Sequence, residues 1–202
     1  MNKFKIKKVG QEVIKLESLA LSKLSKSLDK DFIRAVELIS QLNGKIIISG
    51  VGKSGNIAGK IAASFTSTGI PSIYLNPVDA SHGDMGIIEK NDVLIVLSNS
   101  GESHELTDLI NFCKKKKIRI ISITSSKKSL LSKNSDINLM LPSHIEADKL
   151  QIIPTTSTTM SLALGDALCC SVLSLRKFDK KSFKVQVFGF PSTIAKVLKP
   201  KE

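Results

Sequence analysis

Four short aliphatic runs constrain this chain more than any other feature. Lys45-Ile46-Ile47-Ile48-Ser49-Gly50 is the clearest, and Ser72–Leu75, Val93–Leu97 and Ile118–Thr124 follow it. Each is short, rich in β-branched residues and apolar at consecutive positions, the pattern of a strand covered on both faces. Helical periodicity fills the gaps, over Asn56–Thr68 and Glu105–Lys116. Strand, helix, strand, helix at this rhythm predicts a parallel sheet. A weaker run, Ile137–Leu141, adds a fifth strand, and the apolar stretch Thr158–Leu175 adds a long helix. Ahead of the first strand, residues 11–43 read as helix. Val13, Ile14, Leu16, Leu19, Leu21, Leu24 and Leu28 recur at three- and four-residue steps. Phe32, Ala35, Val36, Ile39 and Leu42 resume the pattern after a break near Asp29, and Asn43-Gly44 ends it.

At 202 residues the chain is long enough for one α/β domain and short for two. We expect a single domain over residues 1–202 with an N-terminal helical extension. Hydrophobic residues make up 42% and charged residues 24%, which excludes disordered and membrane classes of composition. No stretch reaches the roughly 18–20 uninterrupted apolar residues of a membrane span. The basic start, Met1 to Lys8, is not followed by an apolar signal core, so a cytoplasmic location is expected. The net charge of +12 is carried mainly by lysine, while aromatics are only 4% and Trp is absent. A nucleic-acid surface would interleave basic and stacking residues, so neither nucleic acid nor membrane is expected as a partner. The run Lys114-Lys115-Lys116-Lys117 stands where a helix C-terminus would lie and suits the negative end of its dipole. Cys113, Cys169 and Cys170 have neither disulfide nor zinc-site spacing and read as small residues of a reduced protein.

Two loops carry chemistry. Gly50-Val51-Gly52-Lys53-Ser54-Gly55 joins a strand to a helix. Its glycines permit a tight turn close to a ligand, the following helix offers free N–H groups, and Lys53 and Ser54 add a charge and a hydroxyl. It is not a Walker loop, which needs four residues between its first Gly and the Gly-Lys pair. Its glycines do stand at the G-x-G-x-x-G spacing of a dinucleotide fingerprint, but a dinucleotide site would also need a ribose-binding acid. Ser98-Asn99-Ser100-Gly101-Glu102-Ser103 directly follows the third run and supplies three hydroxyls and a glycine. Ligands of open α/β sheets bind at the carboxyl ends of strands, and two such cradles imply a small phosphorylated molecule.

These loops, with Ser64-Phe65-Thr66-Ser67-Thr68-Gly69, Ala80-Ser81-His82-Gly83-Asp84-Met85-Gly86, Pro154-Thr155-Thr156-Ser157-Thr158-Thr159 and Gly165-Asp166-Ala167-Leu168, resemble the sugar isomerase (SIS) domain family. They are most similar to its D-arabinose 5-phosphate isomerases, in order from about residue 11 to about residue 183. The resemblance implies an α/β, three-layer αβα sandwich around a five-stranded parallel sheet. It also implies interconversion of ribulose 5-phosphate and arabinose 5-phosphate through an enediol, feeding Kdo synthesis for lipopolysaccharide. By position it assigns catalysis to Lys53, Glu105 and Glu146. Substrate binding falls to Gly52, Ser54, Gly69, His82, Ser98, Asn99, Ser100, Ser103, Thr156 and Ser157. The bland readings are a first-turn acid countering a helix dipole for Glu105 and an ordinary loop carboxylate for Glu146. No cofactor and no metal ligands are implied, and the partners are a small phosphorylated sugar and further copies of the chain, as a homodimer or homotetramer.

Two positions depart from the family. Its tail histidine falls on Val187, or on Phe190 if Pro191 is aligned instead, and neither residue can transfer a proton. Its metal-contacting histidine before a proline falls on Asn76 in Leu75-Asn76-Pro77. Long members carry paired CBS domains after the SIS domain, and a chain stopping at Glu202 reads as a short form without them. The lost tail histidine keeps an alternative open, a non-catalytic or weakly active sugar-phosphate-binding protein.

Overall fold

The computed structural model describes residues 3–176. Along the chain come α1 (Lys3–Ser27), α2 (Lys30–Ser40), β1 (Ile46–Gly50), α3 (Lys53–Ser67), β2 (Ser72–Tyr74), α4 (Pro77–Ser81) and β3 (Val93–Leu97). Then follow α5 (Thr107–Lys115), β4 (Arg119–Thr124), α6 (Leu130–Lys133), β5 (Ile137–Met140) and α7 (Thr156–Leu175). The five strands form one parallel sheet in the order β2-β1-β3-β4-β5. Sequence and structure agree on all five strands, within a residue at their ends.

Side-chain alternation explains why the runs carry no polar face. Ile46 and Ile48 of β1 join Val93, Ile95, Leu97, Ile121 and Ile123 in a core closed by Ala35 and Ile39 of α2, Phe65 of α3 and Leu164 and Leu168 of α7. Ile47 points the other way and packs with Leu94, Val96 and Ile120 against Leu106 and against Leu109, Ile110 and Cys113 of α5. The sheet is thus the middle of three layers, as expected. Each fully buried Ile or Leu contributes about 1.5–3 kcal/mol relative to an exposed one.

α1 begins at Lys3, eight residues before the expected boundary, because Gly10 breaks no contact and the helical ladder runs through it. Only Ala20 and Leu24 of this helix are buried, while Phe4, Ile6, Val9 and Ile14 are exposed. The expected break is at Asp29, whose carboxylate accepts the Asp31 amide at 2.9 Å and caps α2. α7 is long and apolar enough to cross a membrane by length and composition. Here it packs against α1, α2 and α3. Gly165 lets Ile61 of α3 come against its backbone, and Asp166 pairs with Lys60.

The two edges of the sheet differ. At the amino edge, buried Asp92 accepts the amides of Lys45 at 2.9 Å and Glu89 at 2.8 Å, and the Lys45 ammonium lies 2.8 Å away. The carboxyl edge carries the loops that hold most of the candidate residues.

Candidate active site

Gly50 pairs in register with Leu97, so the loops after β1 and β3 leave the sheet side by side. After β1 the chain turns at Gly52, with φ 57° and ψ −122°, a region open to glycine. α3 then starts at Lys53, so Lys53, Ser54 and Gly55 are its first turn rather than a loop. Among the described residues no side chain caps α3, which leaves its leading amides open to an anion. Gly55 is buried where a β-carbon would lie 2.7 Å from both the Gly50 carbonyl and the Tyr74 hydroxyl. That glycine seats α3 directly on the end of β1. Tyr74 donates to the same Gly50 carbonyl at 3.2 Å, and burial, with Asp79 nearby, raises its pKa.

The second loop is more rigid. Buried Ser98 Oγ accepts the Gly101 amide at 3.1 Å and shares a hydrogen bond with Ser103 Oγ at 3.0 Å. Ser100 Oγ accepts the Glu102 amide at 3.3 Å. The Asn99 carbonyl accepts from Thr124 Oγ1, Ser125 Oγ and the Ser125 amide. The Gly101 carbonyl accepts from Leu131, and Glu102 accepts from Leu130 at 3.0 Å. The hydroxyls of Ser98, Ser100 and Ser103 therefore first build the loop, while the side chains of Asn99 and Ser100 remain exposed at its surface.

Glu105 lies in a single 3₁₀ turn, His104–Leu106, between this loop and α5. It is exposed, as are Lys53 and His82, and none of the three side chains has a hydrogen-bond or ion-pair partner among the described residues. Glu146 is different. Its Oε2 accepts the Thr155 amide at 2.8 Å, the Thr155 hydroxyl at 3.1 Å and the Ser157 amide at 3.3 Å, at the start of α7. Partial burial opposes its ionisation, but hydrogen bonds from the Ser157 side chain, Thr155 and the Ser157 amide outweigh this and hold its carboxyl below the usual range. Asp148 tethers the intervening loop by accepting the amides of Leu150, Ile152 and Ile153.

The carboxyl edge thus gathers Gly52, Lys53 and Ser54 after β1, and His82 in the segment after β2. Ser98, Asn99, Ser100, Ser103 and Glu105 follow β3. Glu146, Thr156 and Ser157 come after β5. Gly69 is the exception. It ends α3 with φ 83°, its amide bonded to the Thr66 carbonyl, at the opposite edge where the chain enters β2. Its place in the Ser64–Gly69 motif has a structural reason, the left-handed turn that stops α3. Thr156 is 1% exposed, and its hydroxyl is buried without a partner among the described residues. Asn76 Oδ1 accepts the Val78 amide at 3.1 Å and so caps α4. Among the described residues no cluster of three His, Cys, Asp or Glu side chains could hold a metal ion. Val187 and Phe190 lie outside the described residues. Sequence reasoning missed Thr155 and the bond from Leu130 to Glu102, which joins residues 28 positions apart and leaves no local pattern.

The fold is an α/β domain built on one parallel sheet, with most of the candidate residues on the loops at its carboxyl edge. The chain belongs to the SIS domain family, whose model matches residues 38–171. It is 46% identical over 175 residues to arabinose 5-phosphate isomerase KdsD of Francisella tularensis, across 85% of this chain and 54% of that protein. To the KdsD of Yersinia pestis it is 42% identical over 174 residues, across 86% and 53%. The chain spans about half the length of these curated relatives. An Escherichia coli CFT073 protein solved in complex with arabinose 5-phosphate superimposes with a TM-score of 0.88 at 35% identity, covering 92% of this chain and 98% of that one.

Proposed function

We propose that the chain interconverts D-ribulose 5-phosphate and D-arabinose 5-phosphate, supplying a sugar phosphate for Kdo and lipopolysaccharide assembly in the cytoplasm. The observation that carries this reading is the register pairing of Gly50 with Leu97. It starts the Lys53 turn and the Ser98–Ser103 loop from neighbouring strand ends, which supports reading them as one anion site. The phosphate sits against the open amides of α3 and the serine loop. Lys53 then contacts the oxygens next to the reacting carbons and stabilises negative charge developing on the carbonyl oxygen. A carboxylate, Glu105 or Glu146, removes a proton from the carbon beside the carbonyl and returns it to the neighbouring carbon. The enediol forms and collapses, the proton of the adjacent hydroxyl passing to the former carbonyl oxygen, with no net oxidation and no external cofactor. Both carboxylates are accessible, and the hydrogen bonds to Glu146 keep it in the ionised form a base requires.

The site is completed by a second copy of the chain in a homodimer or homotetramer. Ile145, Leu150, Ile152 and Ile153 are 60%, 76%, 71% and 57% exposed on the loop that carries Glu146, and α1 presents further uncovered apolar residues. Light scattering on the wild type and on Leu150→Glu tests this part, with the variant expected to be smaller.

The decisive assay incubates the pure protein with ribulose 5-phosphate and follows arabinose 5-phosphate by NMR. Turnover that is lost in Lys53→Ala supports the isomerase. Thermal stabilisation by sugar phosphate with no turnover at high protein concentration establishes the alternative, a non-catalytic sugar-phosphate-binding protein, motivated by the substitution of the tail histidine.

A further inference from the structure

The Glu146 carboxylate is held at the start of α7. Oε2 accepts the Thr155 amide, the Thr155 hydroxyl and the Ser157 amide, and the Ser157 side chain donates to the same carboxylate. Thr155 makes two of these contacts. Its amide and its hydroxyl both donate to Oε2, and its hydroxyl oxygen in turn accepts the Ala147 amide at 2.8 Å. One hydroxyl thus ties the residue after Glu146 and the carboxylate of Glu146 to the first turn of α7. Gln151 adds a second tether: its Oε1 accepts the Glu146 amide at 2.9 Å and its Nε2 donates to the Glu146 carbonyl at 2.7 Å. Backbone and side chain of Glu146 are therefore both fixed, and the Thr155 contacts go to Oε2 and leave Oε1 clear of them.

We propose that Thr155 is a positioning residue. It anchors Oε2 so that Oε1 of Glu146 is presented, ionised, to the carbon acid of the sugar. This rests on Glu146 being a proton-transferring carboxylate. The physical argument is one of orientation. A glutamate side chain has three rotatable bonds, and a carboxylate fixed through one oxygen at a helix start loses most of that freedom before substrate arrives. The same anchor favours the charged form, because donors to a carboxylate oppose its protonation. Among the described residues nothing comparable holds Glu105. The anchored carboxylate is the one whose geometry is set in advance, by Thr155 together with Ser157.

The test compares wild type, Thr155→Val, Thr155→Ser and Glu146→Gln. Thr155→Val keeps the shape and amide but removes the hydroxyl. It is expected to lower kcat about tenfold with KM changed less than twofold, and to move the acidic limb of the pH–rate profile to higher pH. Thr155→Ser, which keeps the hydroxyl, restores both. A wild-type profile and kcat in Thr155→Val would overturn the proposal. Wild-type turnover in Glu146→Gln would instead overturn the assignment of Glu146, leaving the anchoring itself to be judged by NMR. That measurement needs no variant. In the wild-type protein the Thr155 amide proton is expected to shift upfield as acid titrates the Glu146 side-chain carboxyl carbon, with the same midpoint. An amide that ignores that titration rules the anchor out even if Thr155→Val fails to fold.

Discussion

Gly101 lies directly against Ser129. A β-carbon at position 101 would occupy the space of the Ser129 hydroxyl and its β-carbon and lie 3.0 Å from Thr124 Oγ1, and the residue has φ 71°. The serine loop after β3 thus closes on the segment after β4 through a contact only glycine allows. Gly101→Ala is expected to destabilise the protein by about 1–3 kcal/mol from backbone strain alone. It should also weaken sugar-phosphate binding, because Ser98 Oγ loses its placement by the Gly101 amide. Urea unfolding and a sugar-phosphate titration measure the two effects separately.

Lys53 separates function from stability. It is exposed and has no partner among the described residues, so Lys53→Ala should leave the melting temperature unchanged. Turnover should fall by about 100-fold or more, the scale of losing one donor to a developing oxyanion. A Lys53→Ala variant as active as wild type would remove this residue from the proposed mechanism.

The anchoring of Glu146 predicts a pH dependence of stability. Its folded-state pKa is below the ordinary 4.5, so it stabilises the fold fully above about pH 4.5 and loses this contribution as pH falls through the depressed value. Glu146→Gln should therefore be less stable than wild type at neutral pH by a constant margin. That margin should close as the pH drops below 4.5. Denaturant midpoints collected from pH 3 to pH 7 give the curve.

Asp92 joins the starts of β1 and β3 by bonding both the amide and the ammonium of Lys45. Its side chain is buried, so Asp92→Ala strips two amides of their acceptor and leaves the Lys45 ammonium with the more distant Glu89 carboxylate at 3.8 Å. A loss of about 3 kcal/mol is expected, with sugar-phosphate affinity kept in the folded fraction, since Asp92 stands at the edge opposite the cradles. Calorimetry and binding at low temperature check the two halves.

Cys113 should resist alkylation. Burial against the sheet, with Asp92 nearby, pushes its thiol up to about 12. Cys170, exposed on α7, is the cysteine expected to react first with iodoacetamide, as peptide mass spectrometry would show.

The strands were legible because a run such as Ile46-Ile47-Ile48 has one stable environment, the middle of a three-layer domain, whatever surrounds it. The cradles were legible because glycine and serine at a strand end leave a local signature. Helix starts were harder to place. α3 begins at Lys53 and α7 at Thr156, before their apolar periods become visible, because the first turn of a helix faces a loop or a ligand rather than the core. Gly69 carries a motif signature, yet that signature reports a helix stop.

The sequence by itself determined the parallel sheet, the two glycine- and serine-bearing loops at strand ends and the candidacy of Lys53, Glu105 and Glu146, since all of these follow from local pattern, spacing or family motif. Only the tertiary structure decided how those carboxylates differ. Among the described residues Glu105 has no partner on its 3₁₀ turn, while Glu146 is held by Thr155 and Ser157, nine and eleven residues further along the chain. The reason is physical. Hydrogen bonds from a folded loop and a helix start depend on where the backbone returns in space, and no periodicity in the residues records that return.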